Sequence, residues 1–179
     1  MNFLKKIVIG LTLCGCATSG MIYAQDPPPI SPTFCEDHPE FSQWDFWVGK
    51  WKVYTNDEAR HFAGDNVISK HHGSCLIKET WVDSAGNGGF SVNYFNPVRA
   101  EWRQVWVSNG YSIDYTGGLN DSGQMVLEGA MFNYGPNSIV KFRGIWTPED
   151  NGDVIQRFEA YDEESDSWKL WFEGRYVKQ

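Results

Sequence analysis

The sequence predicts an all-β protein, an up-and-down antiparallel β-barrel of about ten strands. From Trp44 onward, apolar residues alternate with polar ones, and turn-forming residues interrupt this pattern roughly every 10 to 16 residues. No segment has convincing helical periodicity. A meander of strands joined by short hairpins leaves two exposed edges unless its sheet closes, so a barrel is favoured. A two-sheet sandwich is the alternative, although it normally has longer crossing connections.

Each predicted strand lies between two turn signals. The strands are expected, in chain order, at Trp47–Tyr54, Asn66–His71, Cys75–Val82, Phe90–Phe95, Trp102–Ser108, Tyr111–Leu119, Gln124–Phe132, Ile139–Thr147, Val154–Tyr161 and Trp168–Val177. Asn109-Gly110 is the strongest hairpin signal, because a type I′ turn needs residues that tolerate positive φ.

The first 24 residues have the layout of a signal peptide. Lys5 and Lys6 precede a short apolar run, and small residues lead to Ala24, after which cleavage is expected. An alternative is a lipoprotein, since "LCGCATSG" resembles a lipobox in which Cys16 would be lipidated. Both interpretations predict export, to the periplasm or outside the cell, with membrane attachment only through Cys16.

The mature chain is expected to have a proline-rich arm at residues 25–42 and a barrel domain at residues 43–179. Loss of the signal peptide leaves two cysteines, Cys35 and Cys75. In an exported domain these most often form a disulfide, which would tie the arm to the barrel, and two buried free thiols are the alternative.

The charge of the chain argues against a nucleic-acid partner. The formal net charge is −8, and it becomes −10 without Lys5 and Lys6, because the first 24 residues contain no acidic side chain. A domain this acidic repels phosphate backbones.

The first predicted strand contains Gly49-Lys50-Trp51, which resembles the G-x-W motif of the lipocalin and fatty-acid-binding superfamily. The resemblance implies that Trp51 closes one end of the barrel and that an arginine near the last strand, here Arg175, stacks on its indole. We expect Trp44 and Trp47 to pack at the entrance end of the barrel.

A second resemblance covers roughly residues 41 to 177. The blocks "FSQWDFWVGKWKV", "GSCLIKETW", "GGFSVNYFNP", "EWRQVWV", "MVLEGAM", "RGIWTP" and "VIQRFEAYDEESDSWKLWFEGRY" together resemble the bacterial domain-of-unknown-function family 1579. This family implies a lipocalin- or nitrobindin-type barrel without an assigned reaction. Nitrobindin-like barrels bind haem through a histidine in their C-terminal part. No cofactor is expected, because all four histidines, His38, His61, His71 and His72, lie in the first half of the chain.

A barrel of about ten strands is wide enough to hold a ligand, and apolar walls with a few polar groups are typical of such a cavity. On one face of each of three strands, large aromatic residues are expected beside other apolar residues; in the last strand this face carries Trp168, Leu170 and Phe172. The predicted ligand-binding residues are Glu79, Trp81, Trp102, Gln104 and Trp106, with Arg143, Gln156 and Glu159 as further polar lining.

These residues predict a non-enzymatic protein that binds a small apolar or amphipathic molecule. The alternative is an isomerase, cyclase or hydrolase that uses Glu79 or Glu159 with Arg143. A third hypothesis is a structural domain with a filled interior, because alternating aromatic residues are also typical of any packed sheet. In that case, Glu79 and Arg143 could form a buried ion pair without another role. No catalytic residue is assigned, and no metal site is expected.

Overall fold

The computed structural model describes residues 29–179, so the predicted signal peptide and Cys16 lie outside the described residues. Ten antiparallel strands form one closed barrel in which every strand pairs with its neighbours along the chain. The strands are β1 (Gly49–Thr55), β2 (Phe62–His71), β3 (Leu76–Asp83), β4 (Gly88–Asn96), β5 (Glu101–Ser108), β6 (Tyr111–Leu119), β7 (Met125–Asn133), β8 (Ser138–Pro148), β9 (Val154–Asp162) and β10 (Ser167–Lys178).

Pairing of the first and last strands closes the barrel. Trp51 of β1 lies opposite Lys178 of β10, and Thr55 lies opposite Gly174. The predicted up-and-down barrel of about ten strands is therefore confirmed. Within the described residues, no helix is long and apolar enough to cross a membrane.

The two ends of the barrel differ. Five hairpins, between β1 and β2, β3 and β4, β5 and β6, β7 and β8, and β9 and β10, lie at one end, which we call the mouth. The other connections between strands lie at the opposite end, together with a short segment that precedes β1. We call this segment the cap. The cap consists of α1 (Phe34–Asp37) and two 3₁₀ turns, Pro39–Ser42 and Asp45–Trp47.

A cluster of buried indoles joins the cap to the barrel. Trp44 and Trp47 have no exposed surface, and their rings stack with a centroid distance of 5.0 Å. Trp44 also contacts Trp146 of β8 at 4.8 Å and Trp102 of β5 at 5.5 Å. The expectation that Trp44 and Trp47 pack at the entrance is therefore wrong. They precede β1, whose first residue lies at the end opposite the mouth, and they close that end.

The disulfide is formed as predicted. Cys35 in α1 is bonded to Cys75 in the connection between β2 and β3, across a sequence separation of 40 residues. The bond fixes the cap to the barrel wall. Structural disulfides are typical of proteins outside the cytoplasm.

The predicted stacking of Arg175 on Trp51 is wrong. Trp51 is buried, and its Nε1 donates a hydrogen bond of 2.9 Å to the carbonyl oxygen of Trp47. The cation above its ring is Lys178, with Nζ 5.8 Å from the ring centroid. Arg175 precedes the inward-facing Tyr176, so its side chain lies on the outer face, where it pairs with Asp153 at 3.1 Å.

Candidate ligand-binding cavity

A cavity of about 160 Å³ lies inside the mouth half of the barrel. Its lining comes from β3, β5, β6, β9 and β10. The twelve lining residues are Glu79, Trp81, Gln104, Trp106, Tyr111, Ile113, Tyr115, Gln156, Phe158, Trp171, Phe172 and Tyr176. Trp171 is 48% exposed and Tyr115 is 1% exposed, so the cavity runs from the rim toward the middle of the barrel.

Five of the eight predicted ligand-binding residues line this cavity: Glu79, Trp81, Gln104, Trp106 and Gln156. Each lies on the inward-facing side of its strand, as the alternation of β3 and β5 predicted. A close backbone approach shapes one wall, because a Cβ at Gly89 would lie 2.5 Å from the Trp106 indole. The glycine in β4 thus leaves space for that ring.

Trp102 faces inward but does not reach the cavity. It lies near the start of β5, at the capped end, and only 1% of it is exposed. Its Nε1 donates a hydrogen bond of 3.0 Å to Oε1 of Gln43. The prediction that Trp102 lines the cavity is therefore wrong: it belongs to the packing between cap and barrel.

The predicted lining by Arg143 and Glu159 is also wrong, because both side chains lie on the outer face. The inward residues of β8 are Phe142, Gly144 and Trp146, which alternate with Arg143. Arg143 Nε donates a hydrogen bond of 2.5 Å to Glu159.

An ion-pair cluster covers Glu159 on the outside of the barrel. Arg157 Nε donates a second hydrogen bond to its carboxylate at 2.8 Å, and Arg143 stacks on the Trp168 ring at 4.3 Å. Burial opposes ionisation of Glu159, but the hydrogen bonds and charges of Arg157 and Arg143 outweigh it and lower the pKa. The suggested pair of Glu79 with Arg143 is not formed.

A β-bulge in β10 changes the face predicted for the last strand. Leu170 pairs with Glu159 and Phe172 with Phe158, so Trp171 is an extra residue in the ladder. Trp171 and Phe172 consequently both line the cavity, whereas Leu170 is 55% exposed. The expectation that Trp168, Leu170 and Phe172 share one face is wrong for this reason.

Three lining residues that the sequence analysis missed come from β6: Tyr111, Ile113 and Tyr115. The sequence does indicate these three residues, because a two-residue hairpin at Asn109-Gly110 fixes the register between β5 and β6. In that register Ile113 lies opposite Trp106 and Tyr115 opposite Gln104. Inward-facing residues on β5 therefore imply inward-facing partners on β6.

Glu79 lies at the inner end of the cavity and is only 3% exposed. Both carboxylate oxygens accept hydrogen bonds of 2.7 Å from neutral groups, Oε1 from Nδ2 of Asn66 and Oε2 from the hydroxyl of Ser91. Burial raises the pKa of Glu79 to about 7, and the two hydrogen bonds oppose that rise. The carboxyl group therefore changes its charge near neutral pH.

Neutral polar side chains extend on both sides of Glu79. On one side, Asn93 Nδ2 donates to the Ser91 hydroxyl at 2.9 Å, Gln104 donates to Asn93, and the Tyr115 hydroxyl donates to Gln104. Buried polar groups are costly without partners. This series of hydrogen bonds pairs the polar side chains at the inner end of the cavity and so stabilises them.

On the other side, Asn66 Nδ2 also contacts the Tyr176 hydroxyl at 3.2 Å, and that hydroxyl donates to Gln156 Oε1 at 2.6 Å. Burial holds the pKa values of Tyr115 and Tyr176 well above their usual range, so both remain neutral. Glu79 is consequently the one lining side chain that titrates near neutral pH.

The fold and the site define a class: a closed ten-stranded β-barrel with a small aromatic-walled cavity that ends in a buried carboxyl group. A scan of the chain against protein-family models gives no match, and a search of curated proteins finds no significant relative. The resemblance to family 1579 therefore stays a prediction. Among the described residues, no group of three or more histidine, cysteine or acidic side chains is arranged to hold a metal ion.

Proposed function

We propose that this protein is an exported binding protein that holds one small apolar or amphipathic molecule in the barrel cavity. The observation that carries the proposal is the cavity itself, in which eight of the twelve lining residues are aromatic and one, Glu79, is an acid. Apolar walls with few aimed polar groups are typical of small-molecule sites. The predicted signal peptide and the Cys35–Cys75 disulfide support export.

The volume limits the size of the ligand. Sites for drug-sized molecules usually measure about 300 to 1,000 Å³, and this cavity measures about 160 Å³. An engineered apolar cavity of about 150 Å³ binds benzene. We therefore expect a ligand built on about one ring, with a polar group that reaches the Glu79 end.

The enzymatic alternative has less support from the geometry. That alternative uses Glu79 or Glu159 with Arg143, but Glu79 lies in the cavity, while Glu159 and Arg143 lie on the outer face of the barrel. The hydroxyl nearest Glu79 is that of Ser91, which has no exposed surface and is not part of the lining. Besides Glu79, the lining offers amide and tyrosine hydroxyl groups but no arginine, so the pairing of a carboxylate with Arg143 that this hypothesis needs is not formed in the cavity.

Two tryptophans of β10 provide a matched test. Trp171 lines the cavity, whereas Trp168, three residues earlier, packs on the outer face beneath Arg143. We expect Trp171→Ala to weaken binding of single-ring probes by about three- to tenfold, because it removes one aromatic wall. Trp168→Ala should leave the affinity unchanged. Isothermal titration calorimetry with benzyl alcohol and benzylamine measures both.

Equal effects of the two substitutions would contradict the proposed site. Absence of binding by both probes to the wild-type protein would contradict the proposed function and favour a barrel whose interior is filled by its own side chains.

A further inference from the structure

The cavity contains one ionisable carboxyl group without a basic partner. Among its lining residues Glu79 is the only acidic side chain, and none is basic. The groups that face Glu79 are Asn66 from β2, Ser91 from β4, Tyr111 and Tyr115 from β6, and Tyr176 from β10. The three tyrosines titrate only in the basic range, because burial raises their pKa values. At neutral pH all five groups are therefore uncharged.

Glu159 shows how this chain stabilises a carboxylate that stays ionised. Two arginines, Arg143 and Arg157, hydrogen-bond to it at 2.5 and 2.8 Å. Glu79 has a similarly small exposed surface, 3% against 5% for Glu159, but it lies inside the barrel and has only amide and hydroxyl donors. A buried charge without a charged partner is costly, so a cation that entered the cavity would be stabilised there.

The cavity walls between Glu79 and the rim can also bind a cation. Trp81, Trp106, Tyr111, Phe158 and Trp171 line that space. Aromatic faces attract ammonium groups, and the attraction strengthens when water is excluded. The same side chains accept the apolar part of an amine.

The mouth itself is acidic. The hairpin between β1 and β2 carries Asp57 and Glu58, that between β3 and β4 begins at Asp83, and that between β9 and β10 is the acidic run at residues 162–166. Arg60 is the one arginine or lysine in these three turns. Hydrogen bonds within the turns lower the pKa values of Asp57, Asp83 and Asp162, so these carboxylates remain ionised. A negative field at the opening raises the local concentration of cations.

Given the proposed binding function, we infer that the ligand is a small organic cation, an amine carried on about one ring, whose ammonium group pairs with the Glu79 carboxylate. The inference rests on three observations: the uncompensated carboxylate, the aromatic walls and the acidic mouth. It names the chemical class of the ligand and makes Glu79 its specificity-determining residue.

Binding of such a cation is linked to a proton. The empty cavity holds Glu79 with a pKa of about 7. Below that pH the ammonium group must displace the proton, so the affinity should rise about tenfold per pH unit until pH 7 and then level off. Proton release in the acidic range is a second signature of the same pairing.

The test uses three probes of similar size: benzylammonium, benzyl alcohol and benzoate. Calorimetry at pH 8 should show benzylammonium binding at least about tenfold more tightly than benzyl alcohol, with benzoate not bound, since an ion pair to a buried carboxylate is worth more than a neutral hydrogen bond. Glu79→Gln should weaken benzylammonium by about 10- to 100-fold and leave benzyl alcohol within about twofold.

Glu159→Gln is the control, because it neutralises a little-exposed strand carboxylate on the outer face of the barrel, outside the cavity, and should leave all three affinities unchanged. The wild-type protein tests the inference without any substitution, through the rise of benzylammonium affinity with pH and the protons released below pH 7. That rise should be absent for benzyl alcohol.

The outcomes separate the two proposals. If benzyl alcohol binds as tightly as benzylammonium, or if benzylammonium binding is independent of pH and of Glu79, the cation inference is overturned and the proposed binding function stands. If none of the three probes binds, the proposed function fails, and the inference fails with it.

Discussion

Glu79 and Glu159 are both buried strand carboxylates, and the difference between them lies in their neighbours. Strand alternation predicted the inward position of Glu79 correctly, because the other face of β3 is mostly polar or exposed. On β9 the prediction that Gln156 and Glu159 both line the cavity disagreed with this alternation: residues three apart lie on opposite faces of a regular strand, and the structure places these two accordingly. The sequence could not show that Arg143, Arg157 and Trp168 cover Glu159 on the outside.

Trp51 is a residue whose removal should be costly. It is 1% exposed and packs edge-on to Tyr176 at the seam between β1 and β10. We expect Trp51→Ala to lower the free energy of unfolding by about 3 to 5 kcal/mol, as for other buried large-to-small substitutions. Urea denaturation monitored by circular dichroism measures the loss.

Trp168→Ala is the control for that measurement, because Trp168 lies on the outer face and loses surface contacts with Arg143, Lys141 and Tyr161, each worth about 1 kcal/mol or less. A cost below about 1 kcal/mol for Trp51→Ala would show that the seam does not depend on this indole.

The strands were more predictable than the segments that modify them. All ten were expected within a few residues of their observed limits, since apolar alternation and turn residues act over short distances. The bulge at Trp171 and the 3₁₀ turns of the cap have no comparable local signal. Trp47 was predicted inside the first strand and instead ends a 3₁₀ turn, where packing against Trp44 and Trp146 determines its position.

The disulfide should stabilise the cap as an element. Closing a loop of this length, with 40 residues between its ends, reduces the entropy of the unfolded chain and is worth about 4 kcal/mol. We therefore expect the double substitution Cys35→Ser and Cys75→Ser to lower the free energy of unfolding by about that amount. Chemical denaturation of the variant, beside the oxidised and reduced wild-type protein, measures it.

A cap that undocks separately would give a different result. The variant would then show an early transition in near-ultraviolet circular dichroism, ahead of the loss of far-ultraviolet signal from the barrel. A difference below about 1 kcal/mol without such a transition would contradict a stabilising role for the bond.

At the scale of the whole molecule, the cap gives the closed barrel an end filled by indoles and an acidic open end. Closure was predictable, because pairing the first strand with the last removes both exposed edges of an uninterrupted meander. The position of the cavity was not, since it depends on which end the cap fills. The sequence placed Trp44 and Trp47 at the entrance, whereas they occupy the opposite end with Trp102 and Trp146.

Glu79 links the stability of the entire barrel to pH. Its pKa is about 7 in the folded protein and 4.5 ordinarily, so between these values the folded state binds more protons than the unfolded state. The contribution of Glu79 to the free energy of unfolding is fully present below about pH 4.5. It is lost as pH rises through 7, and the total loss is about 3 kcal/mol. Glu79→Gln should therefore gain stability relative to wild type between pH 5 and pH 8.

Denaturant titrations of wild type and variant across this pH range measure the difference between their free energies of unfolding. The other titrating groups contribute equally to both proteins, so their effects cancel in this difference. Glu159→Gln should lack this gain, because the pKa of Glu159 is lowered in the folded protein. If the difference in free energy of unfolding between wild type and Glu79→Gln does not depend on pH, Glu79 is solvated in the folded state.

The indole cluster of the cap has an optical consequence. Trp44, Trp47 and Trp146 lie within 4.8 to 5.6 Å of one another, with interplanar angles between 20° and 74°. Transition dipoles so close and so inclined couple as excitons, and they should give a paired band of opposite signs in the circular dichroism spectrum. The protein thus contains its own chromophore for the closed end, separate from the tryptophans that a bound molecule would quench.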